Sequence, residues 1–298
     1  MVTHPNVKIN LGLNVLRKRE DGFHELETLF VPYFGITDTL EIVSGEDFSR
    51  TFASLSAKYS GAGPDADVQT LVQAISDDGK LMMTIARSEG VDWNPLEDLC
   101  AKAYFILDKE YGLPPVKIFL EKTSPVGAGL GGGSADAAFA LRMLNEIGCL
   151  GLSEEELAGH AAKLGSDCAF FIFNKPMIGK GRGEILVSYR LDGIDYGAES
   201  PSGEPFGYEV KVLVPEGVAV STAQAYRGIC PAVPEISLRD VLSKPVGQWK
   251  DFLVNDFEKT VFAAHPELEA IKKSLYESGA VYASMSGSGS ALFGIYPV

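Results

Sequence analysis

At 298 residues, with 46% hydrophobic and 22% charged side chains, the chain has the composition of a globular protein with a real core, in one large or two moderate domains. Its net charge of −14 argues against unaided nucleic-acid binding, which needs a basic face. The four cysteines (Cys100, Cys149, Cys168, Cys230) show neither CxxC nor zinc spacing and are expected to be reduced, mostly buried thiols of a cytoplasmic protein. Polar Asn6, Lys8 and Asn10 interrupt any N-terminal leader, and the apolar run Cys168–Phe173 is too short to span a bilayer, so no membrane partner is expected.

In chain order, residues 8–15 and 39–43 read as strands. Residues 48–93 read as an atypical, insert-like region, by default a surface loop around Gly61–Pro64 and Asp65–Asp67. Residues 96–111 have helical spacing at Leu99, Ala103, Ile106 and Leu107, and residues 116–121 alternate as a strand. Ala137, Ala138, Leu141, Leu144 and Ile147 mark the next helix, with Gly148 where a glycine at C′ is expected. Ser153 and Glu156 form a capping box for a helix ending near Gly165. Residues 193–207, rich in Gly, Ser, Pro and acids, read as a surface loop; residues 208–214, 280–284 and 292–296 read as strands. The mixture argues an α+β fold.

Between the strand at 116–121 and the helix lies Pro125-Val126-Gly127-Ala128-Gly129-Leu130-Gly131-Gly132-Gly133-Ser134-Ala135, with five glycines in the seven positions 127–133. Such a backbone can turn its N–H groups around an anion with no Cβ in the way, and a helix starting directly afterwards aims free N–H groups and a positive dipole end at the same point. An acidic chain that binds phosphates needs such local dipoles. A Walker A loop would require lysine after the last glycine, and Gly133 is followed by Ser134. Gly127, Gly129 and Gly132 match a dinucleotide fingerprint formally, but a second helix follows instead of the required strand with its acidic end. A protein-kinase glycine loop joins two strands, and this one opens a helix. A flexible turn is the plain alternative, although linkers seldom lead straight into a helix.

This loop resembles the second motif of the GHMP kinases, small-molecule kinases for galactose, homoserine, mevalonate and related alcohols. Two further segments fit that superfamily in order: Val7-Lys8-Ile9-Asn10-Leu11-Gly12-Leu13 near the start, and Ser284 to Gly294 with its Ser286-Gly287-Ser288-Gly289 core near the end. Within the superfamily, Lys8–Leu11 followed by Asp21-Gly22-Phe23-His24-Glu25-Leu26-Glu27-Thr28, together with Lys163–Asp167 and Gly181-x-Gly183-Glu184, resembles the 4-diphosphocytidyl-2-C-methyl-D-erythritol kinases of non-mevalonate isoprenoid synthesis. The likeness is thin over 48–93 and 192–207.

The resemblance implies a two-lobed α+β architecture: an ATP-binding lobe like the second domain of ribosomal protein S5 over 1–150, and a ferredoxin-like substrate lobe over 151–298. It implies ATP as phosphoryl donor, Mg²⁺, and an acceptor carrying a cytidine diphosphate group, phosphorylated at its C2 hydroxyl by a monomer or homodimer. A kinase for another small alcohol and a non-catalytic sensor on the same fold are the alternatives. The segment at Asp21–Thr28 speaks against the first, and retention of both Lys8 and Asp167 against the second.

Site residues follow from the residues and the resemblance together. Asp167, at the head of an apolar run, is either a helix cap or a site residue; the resemblance makes it the base for the hydroxyl proton. Lys8 and Asn10 alternate onto one strand face, which is either an edge facing solvent or the wall of a cleft. The resemblance pairs Lys8 with Asp167 and the phosphate, and sets Asn10 on substrate or phosphate. Phe23, where the family usually has tyrosine, and His24 would stack on a flat base and read its edge, with aliphatic Ile178 where a second aromatic wall is common. The loop residues Pro125, Gly127, Gly129 to Gly133 and Ala135 would hold ATP. Ser134 would cap the helix and contact phosphate or Mg²⁺. Asp136 in the first helical turn would repel phosphate and is left outside the site. The glycines at 287 and 289 either buttress the site or simply turn a hairpin.

Overall fold

A computed structural model describes residues 1–45, 47, 49–59, 69–199 and 205–298. Strands β1 (Val2–Thr3), β2 (Asn6–Lys18), β3 (His24–Thr37) and β4 (Thr39–Ser44) open the chain, followed by α1 (Phe52–Tyr59), β5 (Leu71–Ile75), β6 (Leu81–Ala86), α2 (Leu99–Tyr111) and β7 (Val116–Glu121). Helices α3 (Gly132–Ile147), α4 (Glu154–Leu164) and α5 (Cys168–Phe173) precede β8 (Met177–Gly181), β9 (Ile185–Ser188), β10 (Ile194–Asp195) and β11 (Tyr208–Leu213). The last part carries α6 (Thr222–Tyr226), α7 (Leu238–Leu242), α8 (Phe257–Ala264), α9 (Pro266–Glu277), β12 (Tyr282–Met285) and β13 (Leu292–Pro297). The α+β class expected from the sequence is what these elements form. Among the described residues, no helix is long and apolar enough to cross a membrane.

The chain divides into two compact units. One comprises 1–6, 36–124 and 132–173; the other comprises 7–35, 125–131 and 174–298. A single cut near residue 150 therefore does not separate them. The reason is sheet pairing at long sequence separation: β3 hydrogen-bonds β8 in the register Leu26↔Gly181 to Phe30↔Met177, which draws the N-terminal hairpin into the C-terminal unit.

The first unit is built on a five-stranded sheet in the order β1-β4-β7-β6-β5, with β6 and β7 parallel and the other pairs antiparallel. Strand β7 is apolar along one face and at the centre of the other. Ile118 and Leu120 are fully buried, and Phe119 packs on the opposite face with Val43, Ala86 and the α1 residues Leu55 and Tyr59. Each large side chain buried in this way contributes about 1.5–3 kcal/mol. The region 48–93 is therefore not simply a surface loop, because α1, β5 and β6 cover and extend the sheet; its Gly61–Asp67 part lies outside the described residues. Helix α2 starts later than its apolar spacing suggests. Asp98 is extended and its carboxylate accepts from Cys100 N, so a separate 3₁₀ turn, Pro95–Glu97, precedes the helix proper.

The capping box of α4 forms in both directions between Ser153 and Glu156. At the end of α3 the left-handed C′ position falls on Cys149 (φ 50), not on Gly148. Leu150 N donates to Asn145 O and Cys149 N to Glu146 O, the paired bonds of a Schellman motif. Gly148 is closely surrounded instead, and a Cβ there would lie 2.6 Å from Leu113 Cδ2 and 3.1 Å from Leu144 O, so the leucine side chain would have to shift.

The second unit holds two four-stranded sheets, β2-β3-β8-β9 and β10-β11-β13-β12. Strand β10 occupies part of the expected 193–207 loop, parallel to β11; residues 200–204 lie outside the described residues. Leu13 and Val15 at the end of β2 join Phe257, Val261, Leu268, Leu275, Met285 and Leu292 in one apolar cluster, so α8, α9, β12 and β13 pack around the strand that carries Lys8 and Asn10. No cysteine is in a disulfide; Cys100 and Cys168 are buried, whereas Cys149 and Cys230 are exposed, fewer buried thiols than the sequence suggests.

Candidate active site

The glycine loop of the second unit has alternating backbone signs. Gly127, Gly129 and Gly131 have φ of 75°, 77° and 72°, and Ala128 and Leu130 between them do not share the left-handed region. Alternation of this kind turns successive N–H groups to one concave side, an anion-binding nest. The opposite side is anchored. Ala128 and Leu130 are buried, and three consecutive carbonyls accept hydrogen bonds: Ala128 O from Ala291 N (3.0 Å), Leu130 O from Lys8 N (2.9 Å), and Gly129 O from both Lys8 Nζ (2.8 Å) and Ser286 Oγ (3.1 Å). The turn between β12 and β13 is thus both a hairpin turn and the buttress of the loop. Gly129 meets it so closely that an added Cβ would lie 2.2 Å from Ser286 O.

Lys8 is 3% exposed, which settles the sequence alternative of a solvent-facing lysine against that reading. Its Nζ donates to Asn10 Oδ1 and lies 5.6 Å from the centre of the Phe30 ring. Asn10 Nδ2 donates to Thr28 Oγ1 (3.0 Å), and Thr28 in turn to Gly12 O. Burying an ammonium is costly unless acceptors surround it, and here the buried pair Asn10 and Gly129 O also fixes where the charge sits.

In the first unit, α3 begins at Gly132, so Ser134 is the third residue of the first turn and not the N-cap. Its hydroxyl hydrogen-bonds the Cys168 thiol, which burial nevertheless pushes up to about 11. Gly132 has no room for a side chain, because a Cβ would stand 2.3 Å from Ser124 Oγ and 3.0 Å from Lys122 Nζ. Beneath it lies a charged cluster that sequence reasoning missed. Lys122 (5% exposed) donates to Asp38, to Ser124 Oγ (2.8 Å) and to Asp136 Oδ2 (2.6 Å). Asp136 faces this cluster, consistent with leaving it outside the phosphate site. Only the lone basic residue at the end of a buried strand hinted at the cluster, and its partners come from 84 positions upstream and 14 downstream.

The two carboxylates are not equivalent. Burial raises Asp38, but the Lys122 charge and hydrogen bonds from Lys122 and Ser124 outweigh it and hold the carboxyl below its ordinary value. Burial, helped by the Asp38 charge, outweighs Lys122 at Asp136 and pushes it well above, and Asp136 Oδ1 has no hydrogen-bond partner. Asp38→Asn is therefore expected to cost about 3–5 kcal/mol, and Asp136→Asn no more than about 1 kcal/mol, as read by denaturant unfolding at neutral pH. Since the folded Asp38 is depressed, its contribution is complete above its ordinary value of 3.8 and is lost as pH falls through the folded value. The wild type should lose stability on acidification in a way that Asp38→Asn does not.

Asp167, half-buried, precedes α5, whose residues Cys168 to Ile172 are all buried. The buried helix fixes the backbone next to Asp167, and Ser166 Oγ donates to Asp167 Oδ1 at 3.4 Å.

Phe23 is carried on the turn between β2 and β3. Asp21 Oδ1 accepts from Phe23 N (3.1 Å), Arg19 N donates to Phe23 O (2.8 Å), and the ring is left 54% exposed. An exposed aromatic ring offers a flat face on which a planar group can stack. The group over its face is the Arg182 guanidinium, 4.8 Å from the ring centre, and not Ile178, which is 3% exposed within β8 and paired with Leu29 and Val187. His24 stacks on Tyr226 (4.8 Å, 18°), which meets Phe257 edge-on. Arg182 occupies the unspecified position of the Gly181-x-Gly183-Glu184 segment, which was its only sequence signal; nothing in the sequence pointed to Tyr226.

Comparison with known proteins places the chain in a family. Residues 98–175 match the family model described as GHMP kinases N terminal domain, and residues 241–297 match GHMP kinases C terminal. A Bacteroides thetaiotaomicron protein named 4-diphosphocytidyl-2-C-methyl-D-erythritol kinase is 42% identical over 99% of this chain and 92% of its own length, and a Bacteroides fragilis protein of the same name is 43% identical over the same shares. The chain belongs to the 4-diphosphocytidyl-2-C-methyl-D-erythritol kinases, a family of GHMP kinases. A solved 4-(cytidine 5'-diphospho)-2C-methyl-D-erythritol kinase superposes on this kinase with a TM-score of 0.71 at 27% identity, covering 99% of this chain and 89% of that one. The mevalonate kinase of Methanococcus jannaschii, at TM-score 0.59 and 12% identity over 99% of this chain and 90% of that one, shares the fold alone.

Proposed function

We infer that this kinase transfers the γ-phosphoryl group of ATP to the C2 hydroxyl of 4-diphosphocytidyl-2-C-methyl-D-erythritol. The observation that carries the reading is the 42–43% identity to kinases of that name across nearly the whole chain. The anchored glycine loop supplies a physical basis for holding a nucleotide phosphate. In the transfer, the acceptor oxygen bonds to the γ-phosphorus, the bond from that phosphorus to the β-phosphate bridging oxygen breaks, and ADP leaves. Asp167 takes the hydroxyl proton, and Lys8, through its ammonium, stabilises charge on the transferring group. Asn10 orients Lys8 and meets the substrate. Residues 125–135 hold the triphosphate.

Magnesium fits as a companion of the nucleotide. Among the described residues no cluster of three or more His, Cys, Asp or Glu side chains forms a protein cage for it, and Mg²⁺ is often held largely by water and phosphate oxygens. Its protein contact would be the Ser134 hydroxyl, and bound there it would neutralise phosphate charge.

Phe23 stacks on the cytosine and His24 reads its edge, with Arg182 and Tyr226 beside them. Stacking on an aromatic is worth about 1–3 kcal/mol per base, so Phe23→Ala is expected to raise the acceptor KM by about 5- to 150-fold with the ATP KM unchanged. Steady-state kinetics with each substrate varied in turn checks this. Equal rises in both KM values would contradict the assignment. Phosphorus NMR of the product tests the regiochemistry: a phosphate on C2 supports the reading, and a phosphate elsewhere on the polyol refutes it.

A further inference from the structure

In the segment Asn255-Asp256-Phe257-Glu258 only Phe257, against Tyr226, touches the site described above, yet the segment's three polar side chains all grip backbone. Asn255, 3% exposed, donates from Nδ2 to Met285 O (2.7 Å) and to Gly287 O (2.8 Å), and accepts at Oδ1 from Phe257 N (3.0 Å). Asp256 Oδ2 accepts from Val15 N (2.6 Å). Glu258 Oε1 accepts from Met285 N (2.8 Å) and Ser284 Oγ (3.0 Å), and its other oxygen is held by Lys272 (2.6 Å). The main chain adds Leu13 N to Val254 O (2.8 Å) and Asp256 N to Leu13 O (2.9 Å). One short segment thus ties the strand bearing Lys8 and Asn10 to the turn bearing Ser286.

Those two elements press on the same atom. Gly129 O accepts from Lys8 Nζ and from Ser286 Oγ, and the two carbonyls that Asn255 holds, of Met285 and Gly287, flank Ser286 on either side. A buried amide giving both of its hydrogens to the neighbours of one serine fixes that serine's backbone and so the direction of its hydroxyl. We propose that Asn255 is a positioning residue for phosphoryl-donor binding: it sets the Ser286 hydroxyl, which sets the Gly129 carbonyl, which sets the curvature of the glycine loop around the nucleotide phosphates. This rests on reading that loop as the ATP site.

The test is ATP affinity, measured by calorimetry with magnesium on the full chain, and the KM of both substrates. Asn255→Ala is expected to raise the ATP Kd and KM about 10-fold, the loss of roughly one hydrogen-bonded anchor, with the acceptor KM unchanged at saturating ATP. Asn255→Asp keeps the acceptor for Phe257 N but turns a carboxylate toward two carbonyls, so it must be as impaired as the alanine variant. Were Asn255 only a helix cap, aspartate would restore wild-type affinity, which would overturn the proposal. Ser286→Ala should weaken ATP in the same direction, and the double variant should be no weaker than Asn255→Ala alone, since both act along one path. Effects that multiply, or a Ser286→Ala protein with wild-type ATP affinity, would refute it even if the Asn255 variants fail to fold. Wild-type protein that bound no ATP would instead refute the reading of the loop, and the proposal with it.

Discussion

Asp167→Asn is expected to lower kcat by about 10²–10⁴-fold, with the affinities for nucleotide and acceptor close to wild type. Asparagine has the shape of aspartate and cannot take a proton from an alcohol. It is also as good a helix N-cap. The substitution therefore separates the two roles the sequence allowed for this residue: a cap would tolerate it fully, and a base would not. Because α5 is buried along nearly its whole length, thermal stability should be unchanged and the loss confined to the chemical step. Single-turnover kinetics reads that step directly. A variant with wild-type turnover would remove Asp167 from the mechanism.

Gly129→Ala should be the most damaging single-methyl change in the loop. A left-handed backbone costs an L-residue about 1–2 kcal/mol, and φ at Gly129 is 77°. That strain is shared with Gly127, at φ 75°. What sets Gly129 apart is its neighbour. The added Cβ would sit 2.2 Å from Ser286 O, a backbone atom that cannot swing aside, whereas a Cβ at Gly127 meets nothing within 4 Å. The loop must move to admit it, and a misplacement of about 1 Å at a reacting centre can cost about 10²-fold. Gly129→Ala is expected to raise the ATP KM by about that factor, and Gly127→Ala by much less. Equal effects from the two variants would mean that backbone strain, and not the close approach to the turn, governs the loop.

The local elements were largely legible in the sequence. Alternation located β7 to the residue, the Ser153–Glu156 pair located the start of α4, and the glycine run located the loop before α3. These signals are short-range: periodicity, capping and turn chemistry act within a few positions. What stayed hidden was made by long-range pairing. Strand β6 is a short apolar run, Leu81 to Ala86, whose strand character comes from lying between β7 and β5 in a buried sheet. The assignment of β2 and β3 to the C-terminal unit depends on β8, about 150 residues downstream in register.

The site divides along the same line. Lys8, Asn10 and the glycines were visible because their residue types are out of place in their surroundings: a lysine in an apolar strand, five glycines before a helix. Asn255 and Tyr226 are ordinary residues in ordinary segments, and Ser286 and Arg182 lie in segments that stood out for their glycines; all four matter through what the fold sets beside them. Asp38 and Lys122 were missed for the same reason. Two buried charges separated by 84 positions leave no pattern in one sequence.

Coupled ADP release with magnesium and ATP reads the acceptor preference directly. It would compare 4-diphosphocytidyl-2-C-methyl-D-erythritol with the same polyol lacking its cytidine, and with homoserine and mevalonate. Turnover is expected with the cytidylated acceptor alone. Turnover with homoserine, mevalonate or the bare polyol at a comparable rate would contradict it, leaving the phosphate loop in place but removing the base-recognition role given to Phe23 and His24.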